Sequence, residues 1–213
     1  MRAALAGLYR ALAARDMLVG SSGNVSARDG AGMLISPTGC DAATLDPSHF
    51  VATGWDGGHA GGRAPSSEWE LHAAIYRAAP QARVIVHTHC DHATALSCLA
   101  RPLPAFHYNV AEFGGEDVRC APYATFGTPA LAALAVAAIA GRSACLLANH
   151  GMICHAGSIE AALVAAIRLE ALCRQYLLAC AAGRPRLLSR LEMQDAIRRY
   201  AAYGQQGDDD DRH

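Results

Sequence analysis

The sequence predicts a single α/β domain in which helices flank a central, largely antiparallel β-sheet, and three observations carry that prediction. Short apolar strand patterns are mixed with longer stretches of helical periodicity and do not alternate strictly with them. A polar turn, Arg28-Asp29-Gly30, separates two strand patterns closely enough for a hairpin. No strand pattern runs into a G-x-G-x-x-G or Walker loop, so a nucleotide site has no sequence support. A chain of 213 residues can bury a substantial core and shows no compositional break, which fits one domain over 1–213 with about 204–213 as a flexible acidic tail.

The elements follow in order. Leu5, Leu8 and Leu12 recur at helical spacing, so 2–16 reads as an amphipathic helix closed off by Gly20. Residues 24–27 and 33–36 form the hairpin strands, and 50–52 supplies a third strand before a Gly-rich surface loop over 54–65. Ser67 and Glu70 have the spacing of a capping box, which opens a helix that reaches Ala79 and is stopped by Pro80. Residues 84–89 form the next strand and 91–99 the next helix, after which Pro102 and Pro104 break the chain. Thr128 and Pro129 begin an Ala-rich helix that ends at Gly141. A strand over 144–148 leads into Asn149-His150-Gly151. The longest helical pattern, 159–182, is ended by Gly183 and Pro185, and a last helix covers about 189–203.

Composition narrows the function classes. With 52% hydrophobic and 17% charged residues and a formal net charge of -1, the chain has neither the polarity of a disordered protein nor the basic balance of a nucleic-acid binder. Its partners are expected to be small molecules or copies of itself. The longest apolar stretch, 129–140, is too short to span a bilayer and the N-terminus lacks a signal-peptide layout, so a cytoplasmic location without membrane contact is expected. Eight cysteines never form a C-x-x-C pair, and buried free thiols in a reducing compartment are the expectation.

The chemistry is concentrated in Val84-Ile85-Val86-His87-Thr88-His89-Cys90. Side chains alternate along a strand, so His87 and His89 project from one face, an arrangement that a shared metal makes favourable. A zinc site needs three or four protein ligands. His150 is the third candidate, because it directly follows an apolar strand and precedes a glycine. Glu68, at the start of the helix opened by Ser67, is the natural carboxylate; its alternative reading is a favourable charge at a helix N-terminus.

A series of segments then forms one pattern along nearly the whole chain: Gly23-Asn24-Val25-Ser26, Ser36-Pro37-Thr38-Gly39, Ser66-Ser67-Glu68, His87-Thr88-His89, His107-Tyr108, Ala121-Pro122-Tyr123 with Phe126-Gly127-Thr128, and Asn149-His150-Gly151. Together they resemble the class II aldolase/adducin family, and most strongly its members that act on L-fuculose 1-phosphate. The resemblance implies that His87, His89 and His150 bind one Zn²⁺ per subunit and that Glu68 stands by the metal and moves protons. It implies that Asn24, Thr38, Gly39, Ser66 and Ser67 hold the substrate phosphate. Tyr108, reaching into a neighbouring subunit's site, and Tyr203, near the C-terminus, match two further catalytic positions. A homotetramer with sites at subunit interfaces is implied as well.

The activity implied is zinc-dependent cleavage of a ketose 1-phosphate, L-fuculose 1-phosphate or a related deoxy-ketose phosphate. The products would be dihydroxyacetone phosphate and a small aldehyde, formed through a metal-stabilised enediolate. All 18 basic residues are arginine, so a Schiff-base lysine mechanism is excluded from the sequence itself. The family also contains a methylthioribulose-1-phosphate dehydratase, sugar-phosphate epimerases and decarboxylases. The adducin head is a non-catalytic scaffold, and the complete histidine set argues against that role here.

Overall fold

The computed structural model describes residues 1–202 and places the strands in one seven-stranded sheet. In chain order the strands are β1 (Asn24–Asp29), β2 (Gly32–Ile35), β3 (Val51–Gly54), β4 (Val84–Thr88), β5 (Cys120–Ala121), β6 (Ala144–Leu147) and β7 (Gly151–Ala156). Their order across the sheet is β3-β2-β1-β4-β7-β6-β5. Every pairing is antiparallel except β5 with β6. The α/β class and the largely antiparallel sheet are therefore as the sequence predicts.

Among the described residues there are six α-helices: α1 (Arg2–Ala13), α2 (Trp69–Ala78), α3 (Asp91–Ser97), α4 (Pro129–Ile139), α5 (Ile159–Ala182) and α6 (Arg190–Ala202). Val84 and Val86 of β4 join the core formed with α1, α3 and α5. Ile85, one residue out of phase, joins the core formed with α2 and α4. Strand alternation thus assigns His87 to the α2 side, in phase with Ile85. The β1–β4 register pairs Asn24 with His87 and Ser26 with Ile85, so these two polar residues of β1 face α2 as well.

Three expectations need correction. Residues after His150 form strand β7, which fills the centre of the sheet between β4 and β6, and Cys120–Ala121 add a short edge strand. The capping box does not form: Glu68 occupies the N-cap of α2 and makes no capping bond, while its own backbone N–H donates to Ser66 Oγ at 3.3 Å. The eight cysteines are all unpaired, but Cys98 and Cys180 are exposed, not buried. No helix among the described residues is long and apolar enough to cross a membrane.

Candidate metal centre and cleft

Strand β4 delivers His87 to the sheet's α2 face, and His89 follows two residues later on the same side. The third imidazole arrives through the tight turn between β6 and β7. Asn149 takes a left-handed backbone there (φ 55°), a conformation that asparagine tolerates better than most residues. Gly151 then lets β7 close onto β4, because a Cβ at that position would lie 2.4 Å from the Thr88 carbonyl oxygen. Gly23 has a similar part on the other side of β4, where a Cβ would sit 2.8 Å from the His87 carbonyl oxygen.

The three rings meet edge to face with centroids 4.7–4.8 Å apart. Together with one oxygen of Glu68, their donor atoms lie within 4.8 Å of one another. His87 is fully buried, and its Nδ1–H donates to the Met152 carbonyl at 2.8 Å, which leaves Nε2 with a lone pair facing the cluster. That Nε2 lies 2.9 Å from His89 Nε2 and 3.1 Å from Glu68 Oε2. Two imidazole nitrogens so close repel unless a proton or a cation lies between them. Glu68 Oε1 approaches His150 Nε2 at 3.3 Å yet makes no hydrogen bond, a buried carboxylate oxygen without a partner. Three imidazole nitrogens with a carboxylate beside them fit a divalent cation that keeps a position open.

Electrostatics agree with the geometry. Burial pushes His89 down to about 4, aided by repulsion from His87 and His150, and burial likewise lowers His150 to about 4. Burial would also lower His87, but the adjacent Glu68 outweighs it and raises the group. Burial favours the neutral form of Glu68, yet the charge and hydrogen bond of His87, with His150 and Asn24 behind it, hold the carboxyl well below the usual carboxylate range. The carboxylate is therefore ionised where it meets the histidines.

The cluster lies at one end of a cleft of about 310 Å³. Glu68, His89 and His150 line it, and so do Asn24, Thr38, Gly39, Ser66 and Ser67, the residues the sequence marks for phosphate. No arginine lines this cleft among the described residues, so hydroxyls and backbone N–H groups at the start of α2 dominate its polar surface. Tyr123 and Phe126 form a further wall. They lie in segments of the family pattern, although the sequence gives neither a role.

Tyr108 is not brought to the cleft of its own chain. It stands in a 3₁₀ turn, Tyr108–Phe113, stacked on His107 at 4.7 Å and facing Tyr200 at 6.4 Å, and it lines a second recess against α6. Tyr203 lies outside the described residues.

His72, on the helix after Ser67, is given no role by the sequence. It is fully buried on α2, where its Nε2 lies 2.5 Å from Asn24 Oδ1 and its Nδ1 2.7 Å from Ser26 Oγ. Asn24 Nδ2–H in turn donates to Glu68 Oε2 at 3.0 Å. The available signal was spacing: His72 follows Glu68 by four residues at a helix start, which places both on one side of α2.

Known proteins share this architecture. Residues 3–177 match the family described as Class II Aldolase and Adducin N-terminal domain. A 5-methylthioribulose-1-phosphate/5-deoxyribulose-1-phosphate aldolase of Rhodospirillum rubrum is 44% identical over 185 residues, which cover 87% of this chain and 84% of that protein. An L-fuculose phosphate aldolase of Escherichia coli O6:H1 is 43% identical over 186 residues, 87% of this chain and 86% of that one. A solved structure of L-fuculose 1-phosphate aldolase superposes with a TM-score of 0.90 at 36% identity, covering 94% of this chain and 95% of the other. With the cluster of Glu68, His87, His89 and His150 in place and the family match running over most of its length, the chain belongs to the class II aldolase and adducin family.

Proposed function

We propose that this class II aldolase uses zinc to cleave a ketose 1-phosphate, L-fuculose 1-phosphate or a related deoxy-ketose phosphate, into dihydroxyacetone phosphate and a small aldehyde. One observation carries the reading: Glu68 and three histidines converge beside a cleft whose other polar lining side chains are serines, a threonine, a tyrosine and two asparagines, with no basic side chain among them. Bound by His87, His89 and His150, a zinc ion would supply a Lewis acid for the negative charge that builds on substrate oxygens as the carbon–carbon bond breaks.

The chain's own residues do the rest. Thr38, Gly39, Ser66 and Ser67, with Asn24 beside them, hold the phosphate by hydroxyls and N–H groups at the positive end of α2, which offsets the lack of a basic side chain. Glu68, anchored through Oε2 to Asn24 and close to His87, keeps Oε1 free to receive and return a proton at the carbon that loses its partner. With no lysine in the chain, a covalent imine is not open to it. Tyr108 is more than half exposed on its own chain, which supports its delivery to a neighbouring subunit's cleft in a homotetramer. Tyr203 is the further tyrosine assigned to proton transfer, on the hydroxyl that becomes the aldehyde. A cytoplasmic location accords with such a substrate.

The relatives' names bear on the choice of reaction. A dehydratase was the alternative for methylthioribulose 1-phosphate, but the relative from R. rubrum is named an aldolase for that same substrate, which supports carbon–carbon cleavage for either sugar. The test is incubation of the zinc-loaded protein with L-fuculose, 5-deoxyribulose and methylthioribulose 1-phosphates, with triose phosphate release followed against water loss. Triose phosphate from at least one of them, abolished by chelator and restored by zinc, is the expected result. Dehydration without triose phosphate, or a protein that binds zinc and turns over none of the three, overturns the proposal.

A further inference from the structure

Behind Glu68 and Asn24 a buried chain of polar groups continues through His72, Ser26 and Tyr76, which the reaction described above does not use. Tyr76 Oη lies 3.0 Å from Ser26 Oγ, which lies 2.7 Å from His72 Nδ1; His72 Nε2 lies 2.5 Å from Asn24 Oδ1, and Asn24 Nδ2 lies 3.0 Å from Glu68 Oε2. Ser26 and His72 are fully inaccessible to solvent, Tyr76 is 1% exposed and Asn24 3%, so no water competes for these groups. The links come from β1 and α2, elements that share no sequence neighbourhood.

The direction of every hydrogen follows from the last link. The Asn24 amide turns its NH₂ toward Glu68 Oε2 and its oxygen toward His72. That oxygen needs a donor, so His72 carries its proton on Nε2. Nδ1 then holds a lone pair and accepts the Ser26 hydroxyl hydrogen, and Ser26 Oγ is left to accept from the Tyr76 hydroxyl, which also reaches the Arg83 carbonyl at 3.4 Å. Four donors point the same way, toward the carboxylate, and such chains polarise one another in a low-dielectric interior. The reversed chain requires a protonated Glu68, because a flipped Asn24 would set its oxygen against Oε2. Burial lowers His72 to about 3, so the ring stays neutral and keeps its one-donor, one-acceptor form.

We infer that His72 is a positioning residue for Glu68: by donating from Nε2 it fixes the Asn24 amide, which pins Oε2 and leaves Oε1 aimed at the histidine cluster. This rests on the reading of Glu68 as the proton-transfer group. It also gives Asn24 a side-chain duty, since both ends of its amide are engaged before any substrate arrives.

The test compares His72→Phe, which removes the donor, with His72→Gln, whose amide can restore one near the Nε2 position. In the zinc-loaded protein His72→Phe is expected to lower kcat about 10- to 100-fold, the range for losing a group that supports a functional residue, with KM changed less than about twofold. His72→Gln is expected to recover most of the lost kcat. Independently of activity, ¹⁵N-histidine spectra of the metal-free protein, with the His72 signal assigned by its loss in His72→Gln, are expected to show a neutral Nε2–H tautomer near neutral pH. A drop in Tm with kcat unchanged would reduce His72 to packing and overturn the inference. So would a rise in KM at constant kcat, the mark of a group that serves substrate binding alone, or an Nδ1–H tautomer. If His72→Phe fails to fold, the tautomer and the His72→Gln kinetics still decide. Lack of turnover in the unaltered protein falls on the proposed reaction and leaves the tautomer readout in force.

Discussion

Gly151 passes so close to Thr88 that a Cβ on the glycine would lie 2.4 Å from the threonine carbonyl oxygen and 3.3 Å from the His89 Cα. This contact joins the two halves of the metal centre, since Thr88 separates His87 from His89 and Gly151 follows His150. Both obstructing atoms are backbone, at the end of β4 and one residue past it, and cannot swing aside as a side chain can. Gly151→Ala is therefore expected to cost about 1–3 kcal/mol in stability and to weaken zinc binding about 10- to 100-fold. Thermal unfolding and metal titration against a chelator check both, and an alanine variant with unchanged zinc affinity would show that the close approach does not set the histidine geometry.

Glu68 and His150 are expected to separate metal binding from proton transfer. Glu68→Gln keeps the size of the side chain and can still meet Asn24, but it carries no negative charge and no transferable proton at Oε1. Zinc content should stay near that of the unaltered protein while kcat falls about 10²- to 10⁴-fold, the usual worth of a general acid or base. His150→Ala, at the exposed side of the cluster, should lose zinc and activity together while the fold persists. Metal analysis of the purified variants beside steady-state kinetics distinguishes the two patterns.

How much of this was legible in the sequence depended on whether the signal was local. Two histidines at alternate positions of a strand fix their common face by backbone geometry alone, and His150 was marked by the strand before it and the glycine after it. Strand β7 was missed because Met152-Ile153-Cys154 is a short apolar run between glycines. Its strand character comes from pairing on both sides with β4 and β6, which no local pattern shows. The capping box failed for a related reason. Ser67 and Glu70 have the right spacing, but the carboxylate of Glu68 is drawn to His87 and Asn24, and α2 starts one residue later than the motif requires. His72 was passed over because its partners, Asn24 and Ser26, lie 48 and 46 residues away and meet it only once β1 lies across α2.

Glu170 of α5 holds the start of α3, the helix that begins just after His89. Its Oε1 accepts from the His92 backbone N–H at 3.0 Å and from His92 Nδ1 at 2.6 Å, and its Oε2 accepts from the Ala93 N–H at 2.9 Å. Glu170→Ala leaves those N–H groups without their partner and is expected to cost about 1–2 kcal/mol, as the loss of a helix cap does. Burial raises the Glu170 carboxyl, but these donors outweigh it and lower the group overall. A lowered carboxyl contributes stability above its ordinary value of about 4.5 and loses it as the pH falls through the native value. Urea unfolding of both proteins should therefore show a gap at neutral pH that narrows on acidification below about 4.5; a gap independent of pH would mean that packing, not the charged cap, carries the difference.

The buried ring of His72 should also leave a mark on stability that is separate from any effect on turnover. Facing it are Asn24 and Ser26 from β1 and Tyr76 from its own helix, with Glu68 beyond Asn24 and His87 acting at longer range. Burial lowers its pKa from 6.5 to about 3, with His87 adding to the shift and Glu68 opposing it. The unfolded chain therefore takes up a proton at His72 below about 6.5, while the folded chain does not until about 3. Stability from this group is complete above that upper value and declines through the interval, by about 1.4 kcal/mol per pH unit. His72→Gln removes the titrating ring and keeps a donor, so its urea-unfolding free energy, measured from neutral pH downward with zinc held saturating, should fall less steeply by that amount. Parallel slopes for the two proteins would mean that His72 takes up its proton in the folded state as readily as in the unfolded one, and that the buried ring is not held neutral.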